Sequence, residues 1–471
     1  MARSSFMAIG GQPTGAGLPR ASGEAAGTGC AGLPAGFRER TRLEAESTIR
    51  RSDQEEDDEM FEKWMNPILS TPGMSHPWLV AGIAMMLAFA ACAGPVADTE
   101  TAGAAEPVNP DLENLGPREE VLFWTPEQQV AGYRNADLVG DARWFEASDD
   151  PYPLPPVPRD LSAVTYEVEG ETFTVEDYVQ DRRIAGLLVV KDDHVVFERY
   201  GLGNDENSRW ISFSIAKSVV SMLYGAAIAD GYIDSVDDPV TKYLPLLSGG
   251  GYDEVSIRDV LQMASGVGWN EDYADPESDV ATLPGPIVQQ TKYMAGLEEL
   301  HPPGEVFNYN TGETNMAGAV LRAAIGNNLS TYLEHKIWGP FGMEADANWL
   351  LHEPGGGELG GCCINATLRD YARIGIFAMN GGVLRDGTRV LPEGWMEEST
   401  TPSNGYDGYG YLWWLAGDGV FAGIGIFGQY LWMDPSANIV IVTHSAWPHA
   451  TNPEYSRHRA ALVAALADAV R

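Results

Sequence analysis

Positive charge is what this sequence most lacks. Lys and Arg together number 30 against 67 Asp and Glu, a formal net charge of −37 over 471 residues. A surface this acidic repels phosphate backbones, which excludes nucleic acid as a main partner. Cysteine is rarer still: Cys30, Cys92, Cys362 and Cys363 are spaced for neither a disulfide scaffold nor a zinc site. No Gly-x-Ser-x-Gly occurs, so the elbow that carries the nucleophile of a Ser-His-Asp hydrolase is missing. The eight histidines are scattered. His444 and His449, the one close pair near the end, are expected on loops or the surface rather than as metal ligands. Neither a metal nor an organic cofactor is implied. What is present is 44% hydrophobic residues, enough for a large core, and 53 glycines with 30 prolines, which imply many turns rather than a long helical array.

Residues 1–73 show no helical or strand periodicity. They are rich in Gly, Ala and Arg, then run through Asp53-Gln-Glu-Glu-Asp-Asp-Glu59, and read as a disordered extension ahead of a better start at Met60, Met65 or Met74. From Trp78 to Ala91 fourteen apolar residues follow one another, too few to span a bilayer comfortably and suited to a signal-peptide core. Ala90-Ala-Cys-Ala-Gly94 resembles a lipoprotein signal in which Cys92 is lipidated; the alternative is an ordinary signal peptide cut near Ala91 or Ala93. Both place residues 74–93 in a targeting segment and the protein in the periplasm or anchored to a membrane through Cys92. Residues 94–160 are rich in Pro and acidic residues, with Pro151-Tyr-Pro-Leu-Pro-Pro-Val-Pro158 near the end, and read as a tether or a strap across the main domain.

The folded unit is expected over 161–471. Ile184–Val190 and Val195–Tyr200 are β-branched and aromatic runs joined by Lys191-Asp-Asp-His194, a hairpin pattern. A helix apolar on nearly all sides begins near Ser214 and stops at Gly231. Residues 232 to about 405 read as mixed helix and loop. Strands return at Tyr409–Ala416, Val420–Ile426, Gln429–Met433 and Ile439–His444, and a helix over Arg457–Val470 closes the chain. Strands from both chain ends around a helical block predict an α+β fold: one antiparallel sheet completed by both termini and flanked by helices, with a mainly helical second subdomain.

Ser214-Ile-Ala-Lys217 is the chemical centre. At a helix start, residues i and i+3 share a face, so the serine Oγ and lysine Nζ can meet. A serine hydroxyl needs a base to become a nucleophile, and a lysine desolvated in an apolar helix can supply one. Of the six lysines, only Lys217 has a serine three residues before it. The competing reading makes Ser214 a helix cap and Lys217 an exposed residue. Phe307-Asn-Tyr-Asn-Thr-Gly312 follows Pro302-Pro-Gly304 and offers Tyr309 as a cleft residue able to shuttle protons once a cation lowers its pKa. The glycines of Phe421-Ala-Gly-Ile-Gly-Ile-Phe-Gly-Gln429 mark a close approach of ligand or backbone, or a bulged edge strand.

Taken in order, these pieces resemble the β-lactamase and penicillin-binding-protein superfamily of serine hydrolases, in the branch similar to class C β-lactamases, family VIII esterases and 6-aminohexanoate-dimer hydrolase. The likeness covers roughly residues 180–450. It rests on Trp210-Ile-Ser-Phe-Ser-Ile-Ala-Lys-Ser218, Ile257-Arg-Asp-Val-Leu-Gln-Met-Ala-Ser-Gly266, Pro303-Gly304 leading to Tyr309, Ile337-Trp-Gly-Pro-Phe-Gly-Met343 and Gly360-Gly-Cys-Cys-Ile-Asn-Ala-Thr-Leu-Arg-Asp370. The resemblance implies Ser214 as the acylated nucleophile, Lys217 as its base, and Tyr309 as the group that protonates the leaving atom and later activates water. It implies an oxyanion hole of the Ser214 and Ile426 backbone N–H groups, and Tyr273 as a substrate contact. Two positions depart from the family. Its Tyr-x-Asn appears as Tyr309-Asn-Thr311, and its Lys/His-Thr-Gly triplet as Gly423-Ile-Gly425, without a cation.

Those departures disfavour β-lactams and favour esters or small linear amides as the small-molecule substrate, with specificity set by loops around 270–300 and 400–430. A β-lactamase or D-amino-acid peptidase is the runner-up, and a non-catalytic cell-envelope binding protein a third reading. Cys362 and Cys363 are expected as two buried thiols, because ring strain makes a disulfide between neighbours uncommon. Trp413 and Trp414 are expected to split between core and cleft wall. Oligomeric state has no signature in the sequence.

Overall fold

Alternation along the β-branched runs decides how the central sheet is covered. The computed structural model describes residues 109–471; the extension 1–73, the targeting segment 74–93 with Cys92, and the first part of the tether lie outside the described residues. Two strands come from the first half of the unit, β4 (Ile184–Lys191) and β5 (His194–Tyr200), preceded by a small hairpin of β2 (Thr165–Val168) and β3 (Glu171–Thr174). Four come from the C-terminal end: β9 (Trp414–Gly417), β10 (Val420–Ile424), β11 (Tyr430–Asp434) and β12 (Ile439–Ser445). They form one antiparallel sheet in the order β5-β4-β12-β11-β10-β9, so the chain's end inserts beside its early hairpin, with Leu187 opposite Thr443. This is the antiparallel sheet built from both chain ends that the pattern predicts.

Successive side chains in a strand face opposite sides. Leu188, Val190, Leu431, Met433, Val440 and Val442 pack with the helix Ile215–Ala229 and with Leu368–Met379. Leu187, Val189, Tyr430, Trp432, Ile439 and Ile441 pack instead with the closing helix Pro453–Val470, through Leu462, Val463 and Leu466. Helices thus cover both faces. The block between the strands holds helices at Ile257–Leu261, Ile287–Ala295 and Thr311–Ile325, and it leans on the helix Ile215–Ala229.

Several expectations need correction. The described part of the tether, 109–160, is not a spacer. Helix Pro126–Arg134 buries Tyr133 completely, and β1 (Ala142–Phe145) pairs with β7 (Ala347–Leu350) in a second, four-stranded sheet completed by β8 (Ile364–Thr367) and β6 (Arg209–Ile211). Strands of three or four residues are too short to leave a periodic signal, so this sheet is invisible in the pattern. Only the proline run behaves as a strap, with Pro156 bridging to Val195. The strand expected at Tyr409–Ala416 begins only at Trp414, because Leu412 takes φ 58° and its N–H is spent on the Leu261 carbonyl, kinking the chain. Similarly, Val420–Ile426 ends as a strand at Ile424 and turns through a short helix at Ile426–Gly428. His444 is a buried strand residue, stacked on Trp210 and edge-on to Tyr371; only His449 is exposed.

Candidate active site

The turn into the first buried helix is pinned from below. Ser212 Oγ accepts from the N–H groups of Cys363 and Ile364, at 3.2 and 2.9 Å, and the Ser212 N–H donates to the Ile364 carbonyl at 2.8 Å. Phe213 then takes φ 44°, a left-handed conformation costing a bulky residue roughly 1–3 kcal/mol. Its ring packs edge-on against Tyr133 at 5.1 Å between centroids. The bend delivers Ser214 as the residue that starts the helix Ile215–Ala229, yet its hydroxyl makes no capping hydrogen bond. The cap reading of Ser214 is therefore excluded, and the hydroxyl is free for other work.

Lys217 is 1% exposed, which excludes the surface reading. Its Nζ donates to Ser214 Oγ at 2.9 Å, to Thr311 Oγ1 at 3.1 Å and to the Gly361 carbonyl at 2.7 Å, using all three ammonium donors. Burial lowers its pKa from the ordinary lysine value to about 8, with the Glu271 carboxylate opposing part of that fall. Its ammonium also sits 5.1 Å from the centre of the Tyr309 ring. Tyr309 does not show the lowered pKa expected of it. Burial pushes its phenol up, the charge of Glu271 adds to that, and only the Ser214 hydroxyl pulls the other way. The phenol is therefore held in its neutral, proton-bearing form.

Glu271 is the residue the sequence reading missed. It accepts from the Thr311 N–H at 2.9 Å, from the Thr311 hydroxyl, from the Trp269 indole N–H, and from the Tyr273 hydroxyl at 2.5 Å. Thr311, which stands where the family has Asn, thus accepts from Lys217 and donates to Glu271 in one chain of bonds. Asn310, beside it, caps the helix Thr311–Ile325 by accepting from the Glu313 N–H. In Trp269-Asn-Glu-Asp-Tyr273 this carboxylate stands two residues before the tyrosine that the family likeness singles out, and that proximity is the signal available in the sequence.

Ser214, Glu271, Tyr273, Tyr309 and Ile426 all line one cleft of about 730 Å³, and Lys217 reaches Ser214 from the core side. Trp414 stacks on Tyr309, ring centroids 5.6 Å apart, and forms part of the wall, while Trp413 is fully buried. Close approach explains Gly425 and leaves little room at Gly423. A Cβ on Gly425 would lie 2.4 Å from the Ser212 carbonyl oxygen, and one on Gly423 would lie 3.2 Å from Ile215 Cγ2 and 3.3 Å from Ser218 Oγ. The glycine strand can therefore press against the serine turn. Among the described residues, the N–H groups of Ser214 and Ile426 donate to no backbone carbonyl, whereas those of Gly425 and Phe427 are taken by Gln429 and Ala450. Next to Gly361, the sulfurs of Cys362 and Cys363 are joined as a vicinal disulfide, not left as two thiols; Cys363 adopts φ 82°, outside ordinary extended backbone.

A three-layer fold of this topology, a sheet with helices on both faces and a serine bonded to a desolvated lysine at the start of its buried helix, defines a hydrolase of the β-lactamase fold. The family profile described as "Beta-lactamase" matches residues 174–466, and the chain belongs to that family. It is 31% identical over 348 residues to 6-aminohexanoate-dimer hydrolase of Paenarthrobacter ureafaciens, covering 69% of this chain and 86% of the relative. A β-lactamase of Pseudomonas fluorescens is 30% identical over 180 residues, 36% of this chain and 48% of the relative. Among solved structures, a Bacillus anthracis protein provisionally named 6-aminohexanoate-dimer hydrolase superposes with a TM-score of 0.63 at 21% identity, over 73% of this chain and 94% of its own. A penicillin-binding protein from Bacillus halodurans does so at 0.51 and 18%, over 62% and 99%. At these identities the structural matches speak for the fold alone.

Proposed function

We propose that the chain is a serine hydrolase that cleaves ester or small linear amide bonds through an acyl-enzyme. One observation carries the reading: an uncapped Ser214 hydroxyl 2.9 Å from a buried lysine whose pKa is lowered to about 8. In its neutral form Lys217 offers a lone pair to the serine proton. Ser214 Oγ bonds to the substrate carbonyl carbon while Lys217 takes that proton, and the oxygen left negative is held by the Ser214 and Ile426 N–H groups at the helix start. As the carbon–oxygen or carbon–nitrogen bond breaks, Tyr309 passes a proton to the leaving atom and is recharged through Lys217. A water molecule, giving its proton to the same pair, then attacks the acyl carbon and frees Ser214.

Glu271 acts from behind this pair. Through Thr311 it orients the lysine, and its charge adds to burial in keeping Tyr309 from ionising. The strand triplet without a cation supports ester or linear-amide substrates over β-lactams, and the relative of Paenarthrobacter ureafaciens favours the amide side of that choice. We place the enzyme outside the cytoplasm on the strength of the run Trp78–Ala91, either anchored to a membrane through a lipidated Cys92 or released by cleavage near Ala91 or Ala93.

The test is intact mass after exposure to a fluorophosphonate and to 4-nitrophenyl butyrate, with nitrocefin and a 6-aminohexanoate dimer assayed in parallel, on wild type and Ser214→Ala. Labelling and turnover that both vanish in the variant are expected. Turnover that survives it would overturn the serine assignment, dominant nitrocefin hydrolysis would replace the substrate class, and a wild type that neither labels nor turns over would point to a binding protein.

A further inference from the structure

Arg459 lies on the closing helix, and its side chain forms part of the wall of the cleft that contains Ser214. It is 7% exposed. The guanidinium sits over two rings, 4.3 Å from the centre of Tyr430 and 5.0 Å from that of Trp447. Among the described residues it donates no hydrogen bond and has no carboxylate within 4.0 Å. Arg373, buried to a similar degree, meets both Asp370 and Glu344. A desolvated guanidinium is costly to hold without an anion, ring faces offset only part of that cost, and arginine does not escape it by losing its proton. Burial does lower its pKa, in keeping with a charge that lacks a partner.

The surroundings suit an anion from outside the chain. Ser456, three residues earlier on the same helix face, lines the cleft, as does Thr451 just before the helix. Ile424, Ile426 and Trp447 give the intervening wall an apolar character. The five N–H donors of a guanidinium form a planar fork that matches a carboxylate. The protein's net charge of −37 repels anions at large, so an anionic substrate needs a local cation to be held. The strand triplet Gly423-Ile-Gly425 supplies none.

We propose that Arg459, with Ser456 and Thr451, forms a subsite for a carboxylate on the substrate, so that the preferred esters or linear amides carry a free carboxylate beyond the bond that is cut. The identity of this ligand as substrate rests on the hydrolase reading above; the subsite itself does not.

The experiment has two arms on the full chain. Calorimetric binding of hexanoate and hexanamide is compared on Ser214→Ala, which removes turnover, with and without Arg459→Gln. Hexanoate is expected to bind at least about tenfold more tightly than hexanamide, and the preference to collapse with R459Q. The second arm measures the ratio of kcat/KM for mono-4-nitrophenyl adipate over its methyl ester, expected to fall toward one in R459Q. A wild type without preference for hexanoate, or a variant that weakens both ligands alike, would overturn the subsite. Turnover independent of Ser214 alongside an intact hexanoate preference would instead overturn the hydrolase mechanism and leave the subsite standing. Thermal melting checks that R459Q is folded; if it is not, R459K and the selectivity of the wild type decide the matter.

Discussion

The rings of Phe213 and Phe427 lie 5.3 Å apart between centroids, and both residues hold left-handed backbone, with φ of 44° and 59°. Phe213 immediately precedes Ser214, and Phe427 immediately follows Ile426. The two bends that aim the candidate oxyanion donors therefore brace one another. Tyr133 packs against both rings, at 5.1 and 5.6 Å. Left-handed φ in bulky residues persists only where neighbours hold it, and here the neighbour comes from a segment upstream of the family match.

Replacing Tyr133 by Ala should therefore reach the site from outside it. We expect a loss of about 3–5 kcal/mol in urea unfolding, and a fall in kcat larger than any rise in KM. A protein beginning at residue 161 should lose fold and activity together, while one beginning at 109 keeps both. Full activity from the shorter chain would show that the helix Pro126–Arg134 is dispensable.

The pH profile follows from Lys217. Below about pH 8 its ammonium carries a proton and cannot accept another, so kcat/KM should rise with pH through that value and level above it. Glu271 raises the lysine pKa, so Glu271→Gln should move the rising limb to lower pH. A limb that stays or moves upward would show that Glu271 does not act on Lys217 through charge.

Gly425→Ala places a methyl 2.4 Å from the Ser212 carbonyl oxygen. Backbone must yield there, at a cost of about 1–3 kcal/mol, and the strand draws away from Ser214. Acylation measured by stopped flow should slow far more than substrate binding weakens. Unchanged acylation would argue against Ile426 as an oxyanion donor.

Asp370→Ala tests the frame. Its carboxylate accepts from the Glu344 and Ala345 N–H groups and from the Thr367 hydroxyl, and it pairs with the buried Arg373 at 3.0 Å. Removing one partner of a buried pair costs about 3–5 kcal/mol, which chemical denaturation would register as a lower midpoint.

The sequence exposed most of the central sheet, because β-branched runs of five to eight residues carry their own signature, as Ile184–Lys191 and Ile439–Ser445 show. Ser214, Lys217 and Tyr309 were legible through spacing and family likeness. Glu271 was not, because its partners Thr311 and Tyr273 converge only in space. Nor was the role of 109–160, where Pro and acidic residues dominate the composition and one buried tyrosine provides the anchor. The altered behaviour of Tyr309 has the same origin: its pKa is raised by burial and by a carboxylate 38 positions away in the chain, which local pattern cannot register.

The tight seat of Gly423 bears on how this cleft could change over evolutionary time. A lysine introduced there would bring its Cβ against Ile215 and Ser218, on the very helix that begins at Ser214. Acquiring a cation on that strand would thus require Ile215 or Ser218 to give way by a few tenths of an ångström. The closing helix already presents Arg459 to the cleft, so a lineage using anionic substrates would have a cation in place without that adjustment.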